Sequence, residues 1–522
     1  RRTHMTNLDY SIVIFYAIAL LLIAYKLSNK ENASSSAENN YFLAGSSLPW
    51  WAIGASLIAA NISAEQIIGM SGSGYAIGMA IASYEWMAAV TLLLVGKYLL
   101  PIFLERKIYT MPQFLDQRYD HRVRLTMSIF WIGVYVFVNL TSILWLGALA
   151  IETITGINLV AGMFALGSFS LIYSVYGGLR VVAFTDIIQV VLLVFGGLLV
   201  VYVLLQEIGG DGQEMAAFLS LASEVPSKFD MILSKGDSNY ASLPGISVLL
   251  GGMWVMNLSY WGFNQYIIQR ALAAKNLAEA QKGIIFAAFL KILMPLIVVL
   301  PGILVFIVNS NLESPDQAYP TAMSFLPVGI KGLVFAALMA AIVSSLSSMS
   351  NSIATIFTVD VLPRIGKLEA SDPILIGRIS AVIAMVVAMS VAKPLLGNFD
   401  QAFQYIQEFT GFFTPGIVAI FLLGIMSPRV TANGALTAAI GSAIFSLLGK
   451  WLFPGIPFMD RVAIVFLLCV GSALLVSRGS SSERIDSRFY DQSLFNSETS
   501  ASFNLSSCLI VLIVGSFYVI WW

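Results

Sequence analysis

Long apolar stretches joined by short polar connections dominate the chain. Each is close to the ~20 residues a helix needs to cross a hydrocarbon core. Fourteen candidate spans follow, at about 8–27, 49–72, 76–103, 123–150, 157–179, 181–206, 243–269, 277–309, 322–359, 372–395, 399–427, 430–449, 460–477 and 505–522. The stretch 322–359 is too long for one crossing and is expected to open as a separate amphipathic piece ending near Lys331. The segment 207–242 reads as the longest outer loop, rich in Asp and Glu, and 478–504 as a Ser-rich, flexible inner loop. The pattern predicts an all-α polytopic membrane protein.

Two spans depart from continuous apolar helix. In the second, Asn61, Ser63, Glu65 and Gln66 are followed by closely spaced Gly and Ser up to Gly74. In the seventh, Asn257 opens a polar run that ends at Asn264 and Gln265, so a second break is expected at Asn257. Unpaired backbone and carboxylates are costly in lipid and survive only where something compensates them. Breaks at corresponding places in two halves point to inverted repeats around a midplane site for a small ion and a solute. The expected organisation is a peripheral N-terminal helix and loop (1–48), a first five-helix repeat (49–206) and an outer loop (207–242). A second repeat (243–427) and peripheral C-terminal helices (428–522) complete it.

Composition agrees. Of 522 residues, 58% are hydrophobic and only 11% are charged, against about 25% charged in soluble domains. A net charge of -1 makes nucleic acid an unexpected partner and leaves the lipid bilayer as the expected one. Cys469 and Cys508 both sit in apolar segments, so no disulfide framework is expected. The first span lacks a small-residue cleavage site, so no cleavable signal peptide is expected. With both termini outside, the inner loops hold eighteen of the 28 Lys and Arg and the outer segments eight, with Lys97 and Lys291 inside spans. That asymmetry predicts an even number of spans with N and C termini out.

The intramembrane polar residues carry the candidate chemistry. They are Gln66 beside the first break, Glu85 in the third span, Asn139 in the fourth, Asn257 in the seventh, Lys291 in the eighth and Gln407 in the eleventh. Serines 344, 345, 347, 348 and 350 cluster in the ninth. A lone membrane serine commonly packs or bonds to its own helix, and an Asn or Gln can simply join two helices. Glu85 and Lys291 are different, because charges this deep need a partner or a wet cavity. A bare Glu85–Lys291 salt bridge without a ligand leaves the two breaks unexplained. No metal cluster, nucleophile elbow or Gly-rich phosphate loop is present, so an enzyme is not expected.

Seven motifs in order resemble the sodium/solute symporter family, in its sodium/glucose branch. They are Tyr41-Phe-Leu-Ala-Gly, Leu57-Ile-Ala-Ala-Asn-Ile-Ser-Ala-Glu-Gln, Ile81-Ala-Ser-Tyr-Glu-Trp-Met, Tyr176-Gly-Gly-Leu with Thr185-Asp-Ile-Ile-Gln, Tyr260-Trp-Gly-Phe-Asn-Gln-Tyr-Ile-Ile-Gln-Arg, Ala340-Ala-Ile-Val-Ser-Ser and Ala402-Phe-Gln-Tyr-Ile-Gln-Glu. The resemblance implies a leucine-transporter-like fold and sodium-driven uptake of a neutral hexose, galactose or glucose, across the cell inner membrane. It implies Na+ held by the carbonyls of Ala59, Ile62 and Ala341 and the hydroxyls of Ser344 and Ser345. The sugar would meet Gln66, Glu85, Asn139, Asn257, Lys291 and Gln407. Such a set suits a neutral polyol, because carboxylates accept, ammonium donates and amides do both. Tyr260 would form the inner gate and Met70, Tyr84 and Phe403 the outer one, with Asp186 assisting sodium exit. One departure is Ala88, where a close relative has serine; it removes one sugar contact and bears on the preferred epimer. Other solutes of the family (myo-inositol, proline, a nucleoside, sialic acid) and an uncoupled sugar sensor or channel are the alternatives.

Overall fold

The computed structural model describes residues 4–31, 47–108, 110–365, 372–397, 401–479 and 496–522, the side chains of 28–31 and 175–187 excepted. The Tyr41–Gly45 motif, most of 478–504 and the side chain of Asp186 therefore lie outside the described residues.

Among the described residues the chain is helical, and its one β pairing is an isolated bridge between Leu48 and Ala274. Ten helices are long and apolar enough to cross a membrane, or up to 12 if each bent pair is one span, where fourteen were expected. They begin with α1 (Asn7–Glu31) and a broken pair, α2 (Trp50–Asn61) and α3 (Glu65–Ala76). Next come α4 (Met79–Glu105), the short α5 (Met111–Arg118), α6 (His121–Thr155) and α7 (Leu159–Gly209). The 207–242 connection carries α8 (Glu214–Glu224). A second interrupted pair follows, α9 (Gly252–Gly262) and α10 (Gln265–Leu272), then α11 (Leu277–Val308). The remainder is α12 (Ala318–Met323), α13 (Ile330–Ile365), α14 (Pro373–Leu396), α15 (Ala402–Thr410), α16 (Thr414–Met426), α17 (Ala432–Leu452), α18 (Phe458–Gly479) and α19 (Ala501–Ile520).

Local chemistry sets many of these boundaries. Thr110 and Gln113 form a capping box at the start of α5. Asp120 accepts from the backbone of Arg122 and Val123 to start α6. Asn276 starts α11 by accepting from Glu279 N, and Glu279 Oε2 in turn accepts from Trp50 N at 2.7 Å, capping α2 from a different helix. Small residues then let helices approach. A Cβ on Gly54 of α2 would lie 2.8 Å from the carbonyl of Gly283 in α11, and one on Gly302 would lie 1.9 Å from the carbonyl of Ser71 in α3.

The structure corrects two expectations, at the seventh and ninth spans, and adds detail to two others. The seventh span does not break at Asn257, which is helical and donates Nδ2 to its own Met253 carbonyl at 3.1 Å. The interruption falls at Phe263 and Asn264, where Asn264 is extended (φ -101°, ψ 118°) just beyond Gly262. The spans expected at 157–179 and 181–206 correspond to apolar helical stretches at Leu159–Ser174 and Ile188–Gly209, with the side chains of 175–187 between them outside the described residues. The eleventh span is bent by 44° between α15 and α16. Finally, the separate piece before α13 ends at Met323, so Lys331 is a buried residue in the first turn of α13 rather than the end of that piece.

One end of the bundle is tied by cations. Arg124 contacts Asp360 at 2.6 Å and Asp116 at 2.9 Å, and Arg364 contacts Asp116 at 2.7 Å. Arg118 donates to the carbonyls of Gly424, Ser427 and Val430 at 2.9, 2.7 and 3.1 Å. At the opposite end, Lys228 caps α3 by donating to the carbonyls of Tyr75 and Ala76 at 2.9 and 3.0 Å. Burial pushes the Lys228 ammonium below its ordinary range, and Asp237 partly opposes that shift.

Candidate functional site

The first break is short. Asn61 ends α2, Ile62 is extended (φ -76°, ψ 90°), and α3 leaves at 60° to α2. Ser63 Oγ accepts from Glu65 N at 3.2 Å, satisfying one donor that the break frees. Residues Glu65–Met70 then form a π-helical turn. A second π-helical turn, Tyr135–Leu140, lies in α6. Such turns commonly occur at functional sites because they rotate side chains off the regular helical face. Here they point Glu65, Gln66 and Asn139 at one another's neighbourhood, with Asn139 Nδ2 3.4 Å from Glu65 Oε1.

These turns border a cavity of about 80 Å³, walled by residues of α2, α3, α4, α6, α9, α11, α15 and α16. All six residues expected to meet the solute line it: Gln66, Glu85, Asn139, Asn257, Lys291 and Gln407. Ala88 lines it too. Lys291 and Glu85 are each 1% exposed, and Lys291 Nζ donates to Glu85 Oε2 at 2.5 Å. Lys291 also lies 4.9 Å from the Trp261 ring centroid, a cation–π contact that further compensates the buried ammonium.

Three polar atoms on this wall are buried without a hydrogen-bond partner: Gln66 Oε1, Tyr84 OH and Thr410 Oγ1. An orphaned buried polar group costs about 1–3 kcal/mol, so three in one cavity mark a place where a polar ligand fits. The aromatic members surround it. Tyr84 and Phe403 meet edge to face at 5.1 Å, and both line the cavity. Tyr260 accepts at its hydroxyl from Asn61 Nδ2 at 2.9 Å and from the Tyr266 hydroxyl at 2.6 Å. Met70 is the exception among the expected gates, being fully buried and outside the cavity wall. A π turn closes its bond over five residues, so the position four after Gln66 is rotated off the face that Gln66 presents.

Several wall residues were not singled out in the sequence. Asn61 sits at the junction, with Lys291 Nζ donating to its Oδ1 while its Nδ2 reaches Tyr260. Asn264, at the second interruption, accepts from the hydroxyl of Tyr135. Both lie inside the quoted motifs, and their position at a helix end was the available signal.

The five expected sodium-binding residues lie where α2 meets α13. Ala59, Ile62, Ala341, Ser344 and Ser345 are all at most 2% exposed. Ser345 Oγ donates to the carbonyl of Ala60 at 2.7 Å, which brings the serine pair against the backbone between Ala59 and Ile62. Sodium is a hard cation that takes oxygen ligands, and carbonyls freed at a break supply them without formal charge.

Comparison with known proteins fits this geometry. Residues 41–441 match the sodium:solute symporter family. The sodium/glucose cotransporter of Vibrio parahaemolyticus is 47% identical, covering 99% of this chain and 99% of that protein. The human sodium/myo-inositol cotransporter is 33% identical, covering 83% of this chain and 65% of that protein. A solved Na+-coupled sialic acid symporter in a substrate-bound outward-open state aligns with TM-score 0.80 at 23% identity, over 92% of this chain and 99% of that one. This last likeness is one of fold, which is leucine-transporter-like. With the motif run, the broken helices and these matches, the chain belongs to the sodium:solute symporter family.

Proposed function

We propose that the chain is a secondary active transporter that couples Na+ entry to uptake of a neutral hexose, galactose or glucose. The observation that carries the solute class is that the cavity, lined by the carboxyl groups of Glu65 and Glu85, offers no uncompensated cation. Its one cation, Lys291, is matched by Glu85 at 2.5 Å, and no arginine is among the described residues lining it. An anionic solute would find no free cation there, whereas the partnerless Gln66, Tyr84 and Thr410 atoms suit a ligand with many hydroxyls.

In this reading Gln66, Glu85, Asn139, Asn257, Lys291 and Gln407 bind the sugar. Tyr84 and Phe403 close one side, and Tyr260 the other. Sodium bridges α2 and α13 through Ala59, Ile62, Ala341, Ser344 and Ser345. Bound sodium fixes the bend at Ile62 and thereby the place of Gln66, four residues on. Sugar and sodium then raise one another's affinity by the same factor. The inverted repeats are 49–206 and 243–427, and rocking of one against the other opens the cavity to alternate sides. The Arg118, Arg124 and Arg364 cluster marks the cytoplasmic end in an inner membrane, leaving both termini outside. Asp186 assists sodium release toward that end.

The test is uptake of labelled galactose and glucose into proteoliposomes under an inward sodium gradient. The expected result is concentrative uptake that collapses when potassium replaces sodium, and sodium-independent uptake overturns the proposal. A second neutral polyol, myo-inositol, is the other reading, favoured by Ala88 and by the myo-inositol relative. Competition between the three solutes decides between them.

A further inference from the structure

A fully buried arginine lies on the far half of the second broken span, away from the sugar cavity. Arg270 is in α10 and is 0% exposed. One arm of its guanidinium, Nη1, donates to Ser56 Oγ on α2. The other arm, Nη2, donates to Ser348 Oγ on α13. Its neighbour Gln269 adds a bond from Nε2 to the Ser348 carbonyl at 3.2 Å.

These contacts fall one helical turn from the candidate sodium ligands on both helices. Ser56 is four residues before Ala60, whose carbonyl accepts from Ser345. Ser348 is four residues after Ser344 and donates its own hydroxyl proton to the Ser344 carbonyl at 2.8 Å. That donation leaves the Ser348 oxygen to accept from Arg270. The same two helices are thus spanned twice, by a fixed guanidinium and, one turn away, by the site proposed for a removable ion.

The other end of the connection is the gate. Tyr266 lies four residues before Arg270, on the same short helix, and donates to the Tyr260 hydroxyl at 2.6 Å. α10 has only eight residues, Gln265–Leu272, and its entry at Asn264 is extended. It is therefore a rigid rod that begins at a joint. A guanidinium is planar with five donors in a fixed fork, so its two arms tolerate little change in the spacing of the groups they hold.

We propose that Arg270 is the positioning residue that carries the state of the sodium site to the Tyr260 gate. When α2 and α13 are drawn together by the ion, the fork holds α10 with Tyr266 against Tyr260. When the ion leaves and the helices part, the fork cannot span both serines, α10 turns about Asn264, and the tyrosine pair is released. This inference rests on the sodium-symport reading and adds a residue that touches neither solute.

The experiment measures sugar affinity of the purified full-length protein with saturating sodium and with potassium only, using labelled galactose. The ratio of the two dissociation constants is the coupling factor. Arg270→Lys keeps the charge but replaces the fork with a single point donor, and Ser348→Ala and Ser56→Ala each remove one anchor. Each variant is expected to lower the coupling factor about 2- to 30-fold, the range for residues that transmit between sites. The loss should fall on affinity at saturating sodium, affinity in potassium should stay within about two-fold, and Arg270→Lys with Ser348→Ala should be less than additive. A purely structural role would instead lower thermal stability and leave the ratio unchanged, and that result overturns the proposal. If Arg270→Lys does not fold, the two serine variants decide alone. A wild type whose sugar affinity ignores sodium fails the symport reading itself; a sodium-dependent wild type with unaffected variants fails only the role of Arg270.

Discussion

The hydroxyl of Ser345 donates to the carbonyl of Ala60 over 2.7 Å, joining the middle of α13 to the last turn of α2. The contact falls where α2 stops being a helix, so it reports directly on the break that the proposed ion occupies. Replacing Ser345 by Ala removes a hydroxyl ligand from that ion and this contact in its absence. A single such oxygen is worth about 1 kcal/mol, so the sodium concentration for half-maximal uptake should rise about five-fold. Uptake measured against sodium concentration checks this, with maximal rate at saturating sodium expected to be largely retained.

Lys291→Ala should abolish sugar uptake and also lower stability. It leaves Glu85 buried at 1% exposure without its ammonium partner, and breaking a buried pair costs about 3–5 kcal/mol. The double variant Lys291→Met with Glu85→Leu replaces both charges by apolar groups and should recover most of the lost thermal stability while remaining inactive. Melting in detergent alongside uptake separates the two roles.

Ala88→Ser restores a hydroxyl three residues after Glu85 on the cavity wall. One neutral hydrogen bond contributes about 0.5–1.5 kcal/mol, so affinity for the sugar whose hydroxyl it meets should increase several-fold. Competition of galactose against glucose, before and after the substitution, shows which epimer gains.

Gly302→Ala should be among the most damaging single-methyl additions. Its Cβ would lie 1.9 Å from the Ser71 carbonyl and 2.7 Å from the Tyr75 amide, both backbone atoms of α3. Neither can swing aside as a side-chain tip would, and overpacking of this kind costs about 3 kcal/mol or more. The measurement is the thermal midpoint of the purified protein, with Gly515→Ala, which meets no atom within 4 Å, as the control.

Most span positions were legible because lipid demands long apolar helices, and the first break was legible because polar and small residues are hard to place there otherwise. The second break was misplaced because Asn257 looks like an interruption but satisfies its amide on Met253, inside its own helix. The bend between α15 and α16 had a readable signal in Gly411, just past the end of one helix, and Pro415, in the first turn of the next. The polar residues lining the cavity were legible as buried polar groups in apolar helices. The roles of Asn61 and Arg270 were not, because both depend on partners more than 70 residues away: Asn61 on Tyr260 and Lys291, Arg270 on Ser56 and Ser348.

The Glu85–Lys291 pair also fixes the electrical character of the cycle. Its two opposite charges cancel, and the proposed sugar is neutral. In the proposed cycle the loaded and the empty carrier then differ by one elementary charge for each sodium carried. A membrane potential of 100 mV therefore separates the two strokes by at most about 2.3 kcal/mol for each sodium carried, and steady sugar addition to a voltage-clamped membrane should draw an inward current of one charge per sodium.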